Sequence, residues 1–232
     1  MLLLNLILAS TSLALAKPAP AAQMVVVELF TSQSCSSCPP AEAILRDLSK
    51  REDILALEWH VDYWDTLRHG GDGVWKDPYS SPKFTARQRD YNRSLRDTSA
   101  VYTPQLIING SAETVGSRRA KIEKLLDNPS ATSARISATK ADGMIQFSLT
   151  APPADVILVT FIKSAITDVK RGENKGLKLA EAHIVTQSRK LGTVKGGQAS
   201  YSIKPPTAGH GCAILVQEAG TGRIHGGAYC PS

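Results

Sequence analysis

The stretch VVVELFTSQSCSSCPPAEAILRDL constrains this chain more than any other. It opens on VVVELFT, a β-rich run with the composition of a buried strand. Cys35 follows Thr31 after three residues, then Ser36, Ser37 and Cys38, then Pro39 and Pro40. Proline is tolerated in the first turn of a helix, where the backbone N–H groups lack intrahelical partners. A helix therefore begins at the cysteines and not well before them. Within PPAEAILRDLSK, Ala41, Ile44, Leu45 and Leu48 fall on one helical face. A second apolar run, DILALEWHV, completes a β-α-β start, which implies two parallel strands and a right-handed crossover.

The next segments continue in the same style up to residue 128. SPKFTARQRDYNRSLRD reads as a polar helix with Phe84, Tyr91 and Leu95 near one stripe. TPQLIING ends in Asn109-Gly110, a strong hairpin signal, with AETVG as the partner strand. SRRAKIEKLLDN reads as a closing helix with Ser117 as its N-cap. The expected order over residues 23–128 is β-α-β-α-β-β-α. After NPSATS the helical period disappears. Short alternating runs bounded by Gly, Pro and Asp then predict an all-β, sandwich-like domain over 129–232.

Charge divides the chain at the same place. Residues 24–128 carry 14 Lys and Arg against 15 Asp and Glu, while residues 129–232 carry 12 against 6. The basic balance belongs to the second half. A solvated face explains it most simply, and an acidic partner or membrane surface is the alternative. No basic patch interleaved with aromatics points to nucleic acid.

The first residues, MLLLNLILASTSLALA followed by KPAPAAQ, predict a signal peptide over 1–22, with a membrane anchor as the alternative. Cleavage is expected after Ala16 or within Ala19–Ala22. Export matters for the four cysteines, because an oxidising compartment favours disulfides over thiolate metal sites. In GHGCAILVQEAGTGRIHGGAYC, a hairpin centred on Thr221 makes Cys212 and Cys230 cross-strand neighbours. They are expected to form a structural disulfide, which leaves Cys35 and Cys38 as a separate pair.

At a helix N-terminus, free N–H groups and the helix dipole favour a thiolate, so Cys35 is the expected nucleophile. Cys38 lies one turn later on the same side. A purely structural disulfide is a weak alternative, because a four-residue loop saves little chain entropy. Zinc would need two further ligands, and no second Cys-x-x-Cys exists. Cu(I) suits soft thiolates, with His60 as a third ligand. No resident metal or cofactor is expected. Thr103-Pro104 precedes the strand QLIING and is a candidate cis peptide. In a parallel sheet, functional groups gather beyond the carboxyl ends of the strands. This puts His60, Asp62, Trp64 and Trp75 forward as substrate-binding residues near the sulfurs, against a structural histidine, a turn-capping aspartate and core-packing tryptophans. Glu28, a carboxylate inside an apolar strand, is a candidate proton acceptor for Cys38, although alternation could point it to solvent or to an arginine instead.

Residues 24–128 resemble the thioredoxin superfamily. More closely, ELFTSQSCSSCPPAEAIL, WHVDYWD, WKDPYSSPKFTARQRDYN, YTPQLIING and RGENKG resemble a bacterial family of predicted secreted proteins of unknown function with a thioredoxin-like fold. The resemblance implies that Pro104 packs beside the two sulfurs and that Thr103 offers backbone groups to a substrate polypeptide. It implies a periplasmic or secreted thiol–disulfide oxidoreductase acting on a protein or small-molecule thiol or disulfide, with a redox partner protein. A non-enzymatic Cu(I)- or partner-binding module is the alternative. Ser36-Ser37 between the cysteines departs from thioredoxin itself, so no redox potential carries over.

Overall fold

The computed structural model describes residues 24–67 and 73–231. The expected signal peptide lies outside the described residues. The chain runs β1 (Val25–Thr31), α1 (Pro39–Leu48), β2 (Ile54–His60), α2 (Pro82–Arg96), β3 (Gln105–Ile108), β4 (Ala112–Val115) and α3 (Arg119–Asp127). It continues with β5 (Arg135–Ala141), β6 (Met144–Asp168), β7 (Lys178–Ile203), β8 (His210–Gln217) and β9 (Ile224–Tyr229). The order β4-β3-β1-β2-β7-β6-β8-β9, with β5 on β6, forms one mixed sheet. An α/β part thus continues into a β-rich part. The junction is the parallel contact of β2 with β7, where Glu58 stands opposite Ile184.

The faces of β1 and β2 organise the α/β part. Both strands are buried on both sides, so alternation sorts their residues between two cores. Val26 and Phe30 of β1 join Leu55, Leu57 and Trp59 of β2 in a core under Phe84 and Tyr91 of α2. Val27, Leu29, Ile54 and Ala56 face the other way, onto Ala41, Ile44, Leu45 and Leu48 of α1. Ile122 of α3 closes that second core. The helix α1 starts where the prolines predict, with Pro39 its first residue and Cys38 its N-cap. Ser117 does not cap α3. The cap is Arg118, without a side-chain bond, and the Ser117 carbonyl instead accepts the Arg119 N–H.

Asn109 and Gly110 both take positive φ and turn β3 into β4. Glycine is required at 110 for a second reason. A Cβ there would stand 2.6 Å from the Gly222 carbonyl oxygen, because the turn docks against the start of β9. The Asn109 side chain accepts the Val26 N–H and its backbone carbonyl accepts the Ile224 N–H, which ties β1 to β9.

The β-rich part has fewer and longer strands than the sequence punctuation suggests. Runs read as separate, such as MIQFSLTA and DVILVTFIKS, are one 25-residue strand, β6. The two runs around SRKLG and ASYSI are likewise one 26-residue strand, β7. Pro153 pairs with Lys195 and Ala151 with Gly197, so the prolines of β6 and the glycines of β7 lie at one level of the ladder. Gly196 and Gly197 have φ of 102° and 94° there. The strands bend at this level instead of stopping. Bending lets Ile145, Phe147 and Leu149 from the first part of β6 share a core with Val156 and Leu158 from the second. Ile214 and Val216 of β8 complete it.

Candidate functional site

The two sulfurs lie in the turn between β1 and α1. The Cys35 N–H donates to the Ser32 carbonyl at 3.0 Å, and the Cys38 N–H to the Cys35 carbonyl at 3.1 Å. The Cys38 carbonyl then accepts from Ala41 and Glu42, which starts α1. This winding brings the sulfurs together, and Cys35 and Cys38 form a disulfide with Cα atoms 5.4 Å apart. Both cysteines are 0% exposed, whereas Ser36 and Ser37 between them face solvent. The Ser37 hydroxyl lies 3.3 Å from the Cys35 sulfur.

A segment of the β-rich part covers the turn. Residues 169–177 join β6 to β7 and contain RGENKG. The Asn174 side chain donates to the carbonyls of Gln33 and Cys35 at 3.0 and 2.9 Å. Glu173 accepts the Ser36 N–H at 2.8 Å. Gly172 takes φ of 79° and approaches Trp75 so closely that a Cβ would meet the Trp75 Cβ at 3.2 Å. Trp75 in turn donates its indole N–H to Gln33 and accepts the Ser34 hydroxyl on its carbonyl.

Beneath the cysteine turn, on the α1 face of the sheet, lies a buried polar cluster. Alternation along β2 explains its position. Ile54 and Ala56 pack against α1, and the next two residues of the same face, Glu58 and His60, continue past the apolar contact. Glu181 arrives from β7, Glu42 from the first turn of α1 and Asp77 from the loop before α2. Glu58, His60 and Glu181 are 0%, 0% and 1% exposed. The His60 Nδ1 meets the Asp77 carboxylate at 2.7 Å. Its Nε2 faces Glu58 Oε1 at 3.6 Å and Glu181 Oε1 at 3.7 Å. Gln33, one residue inside the turn, holds both ends of this cluster. Its backbone N–H donates to Asp77 and its side chain to Glu181.

Burial and mutual repulsion shape these charges. Burial pushes the Glu42 carboxyl well above the usual carboxylate range, and the charges of Glu58 and Glu181 add to it. Burial likewise pushes Glu181 up to about 7, against the opposing pull of His60. Burial would lower His60, but Asp77, Glu58 and Glu181 raise it well above the usual histidine range. Burial also works against Asp77, yet His60 and the Gln33 and Tyr79 N–H groups hold it low.

The residues singled out from sequence do not all meet here. The Thr103–Pro104 bond is cis. Pro104 and Ala41 of α1 flank Gly116, where an added Cβ would stand 3.3 and 3.1 Å from their Cβ atoms. Trp64 donates its indole N–H to the Thr103 hydroxyl at 2.8 Å. Asp62 exchanges hydrogen bonds with Thr85 in the first turn of α2. Glu28 faces α2, away from α1. Arg87 grips its carboxylate with bonds of 2.8 and 3.1 Å, and the Tyr91 hydroxyl donates to it. The free nitrogen of His60 points at carboxylates. Cys212 and Cys230 form the second disulfide, in the register that Ala213 opposite Tyr229 sets.

Sequence reading missed Gln33, Glu42, Glu58, Asp77, Asn174 and Glu181. A signal existed for Glu42, which stands four residues after Cys38 on an otherwise apolar helix face. Glu58 and His60, two apart in a buried strand, were a second signal. Nothing local marked Glu181, which reaches the site through the pairing of β2 with β7.

Comparison with known proteins adds four findings. The family described as a protein of unknown function (DUF1223) matches residues 26–217. Among solved structures, protein AGR_C_4864 from Agrobacterium tumefaciens is 30% identical, with a TM-score of 0.73, covering 91% of this chain and 96% of that one. HBP35 of Porphyromonas gingivalis is 12% identical with a TM-score of 0.55, covering 89% of this chain and 74% of that one, a likeness of fold alone. No curated protein matches the sequence.

Proposed function

For a chain that belongs to the family described as a protein of unknown function (DUF1223), we propose an activity from its own cysteine centre: thiol–disulfide exchange on a thioredoxin-like frame, in the bacterial periplasm or outside the cell. The observation that carries this reading is the Cys35–Cys38 disulfide in the turn between β1 and the N-terminus of α1. That position suits a thiolate through the positive end of the α1 dipole; Pro39 and Pro40 carry no N–H, so the dipole and not a free donor supports it. The second disulfide, Cys212–Cys230, agrees with an oxidising compartment.

In the reduced protein the Cys35 thiolate attacks one sulfur of a substrate disulfide. The substrate S–S bond breaks, its other sulfur leaves as a thiolate, and a mixed disulfide forms. Cys38 then attacks Cys35, closes the Cys35–Cys38 bond and releases the second substrate sulfur. Two electrons pass from the protein dithiol to the substrate disulfide, and oxidation of a dithiol runs the same steps backwards. Glu42 takes the Cys38 proton in this reading. Its position one turn after Cys38 and its burial support that role. The exposed Ser36-Ser37 edge is the side from which a substrate approaches, and the segment 169–177 yields to admit it. Trp64 and Thr103, already joined by a hydrogen bond, form part of the docking rim.

Insulin reduction with dithiothreitol as the terminal reductant tests the activity. The protein should accelerate precipitation at least tenfold, and Cys35→Ser should abolish the acceleration. Equal rates with and without Cys35 would overturn the proposal.

A further inference from the structure

Glu58, His60 and Glu181 are not explained by disulfide exchange. Their ligand atoms all lie within 4.8 Å of one another, inside the protein. Two of those atoms, Glu58 Oε1 and His60 Nε2, are buried and have no hydrogen-bond partner among the described residues. They face each other at 3.6 Å, beyond hydrogen-bond length. A buried polar atom without a partner costs free energy, and here two such atoms are aimed at one point.

The surroundings suit a metal ion. A cation about 2.1 Å from two ligand atoms holds them about 3.4 Å apart at a tetrahedral angle. The His60 nitrogen lies 3.6 and 3.7 Å from the two carboxylate oxygens, so a small inward shift closes the site. The other His60 nitrogen is held by Asp77 at 2.7 Å, the carboxylate–histidine arrangement that orients a metal-binding imidazole. Asp77 is itself fixed by the N–H groups of Gln33 and Tyr79. The second oxygen of Glu58 accepts the Ala182 N–H, and Gln33 donates to Glu181. Glu58 and His60 are thus each anchored through one atom with the other turned to the centre, while both Glu181 oxygens accept from Gln33 and Oε1 also faces His60.

Charge makes the same case. Glu42, Glu58, Asp77 and Glu181 are all at most 2% exposed. Among the described residues, no lysine or arginine forms an ion pair with any of them. Several carboxyl groups buried around one histidine need bound protons or a cation to offset their charge. We propose that Glu58, His60 and Glu181 bind one divalent transition cation of the zinc, manganese and iron class. The donors are two carboxylates and an imidazole, which suit these ions and not the soft Cu(I). The site joins β2 of the α/β part to β7 of the β-rich part, so the cation would lock the junction. It stands independently of exchange at the cysteines.

The test uses the oxidised chain with both disulfides closed, so that no thiolate competes. The protein is unfolded in urea with a chelator and refolded in parallel with Zn2+, Mn2+, Fe2+ (anaerobically) or no metal. After excess metal is removed, the metal per chain is measured, together with the urea unfolding midpoint. About one equivalent should remain with at least one of the three ions, and the midpoint should rise above that of the metal-free protein. Glu58→Gln and Glu181→Gln, which keep the side-chain volume, should each bind at least tenfold more weakly. Asp77→Asn should weaken binding about 10- to 100-fold through the orientation of His60. Less than about 0.1 equivalent in the wild-type protein with all three ions, and no midpoint shift, would overturn the assignment. So would undiminished binding in both glutamine variants, which places the metal elsewhere, or binding that appears only after reduction, which places it on thiolates.

Discussion

Glu28 and Glu42 show how much one position decides. Both are carboxylates embedded in apolar patterns, and both are buried. Glu28 shares its face of β1 with Val26 and Phe30, so it meets α2 and the Arg87 guanidinium. Arg87 also stacks over Trp59 and Tyr91, at 4.9 and 5.0 Å. Removing one partner of a buried pair leaves the other charged and unmatched. Arg87→Met should therefore cost about 3–5 kcal/mol in urea unfolding. Adding Glu28→Gln to that variant should recover part of the loss. A cost below about 1 kcal/mol would mean that the pair is not a structural element. The sequence could not tell these two glutamates apart. A strand buried on both faces has no polar side to mark its register, and only the packing of α2 against β1 decides which way Glu28 points.

At the scale of elements, the β-α-β start, the helix beginning at the cysteines and the Asn109-Gly110 hairpin were legible, because proline, glycine and short-range periodicity specify them locally. The lengths of β6 and β7 were not. Pro152, Pro153, Gly196 and Gly197 look like strand ends, yet they sit across from one another and bend a continuous ladder. The segment between β6 and β7 was legible only as the motif RGENKG, not as a cover for the sulfurs. Its hold on the cysteine turn rests largely on Asn174. Asn174→Ala removes both bonds to the carbonyls of Gln33 and Cys35. Reduction of Cys35–Cys38 by dithiothreitol should then run several-fold faster, followed by timed alkylation and mass spectrometry. Cys212–Cys230 in the same sample should be unaffected. An unchanged rate at Cys35–Cys38 would show that segment 169–177 does not restrict access.

Over the whole molecule, the two halves that differ in charge share one sheet, and the polar cluster sits where they meet. Short-range patterns cannot reveal such a junction. Glu181 is 121 residues from His60 in number but under 4 Å away in space. Closure of the far end was more legible, because hairpin symmetry alone pairs Cys212 with Cys230. Val216 still pairs with Gly226 in that register, and an irregularity follows before Gln217 pairs with Ile224. The 18-residue separation of these cysteines sets the scale of their contribution. Replacing both with alanine should cost about 3 kcal/mol at most, and should leave exchange at Cys35 intact. A loss of exchange in that variant would mean that the two disulfides act together. Exchange at Cys35 is best tested by trapping. Reduced Cys38→Ser protein, with Cys212–Cys230 kept closed, is mixed with a disulfide-bonded peptide and the adducts are mapped by mass spectrometry. A stable mixed disulfide should form on Cys35, faster than the adduct on Cys38 in the matching Cys35→Ser protein. No adduct on Cys35, or an equal rate at Cys38, would contradict it.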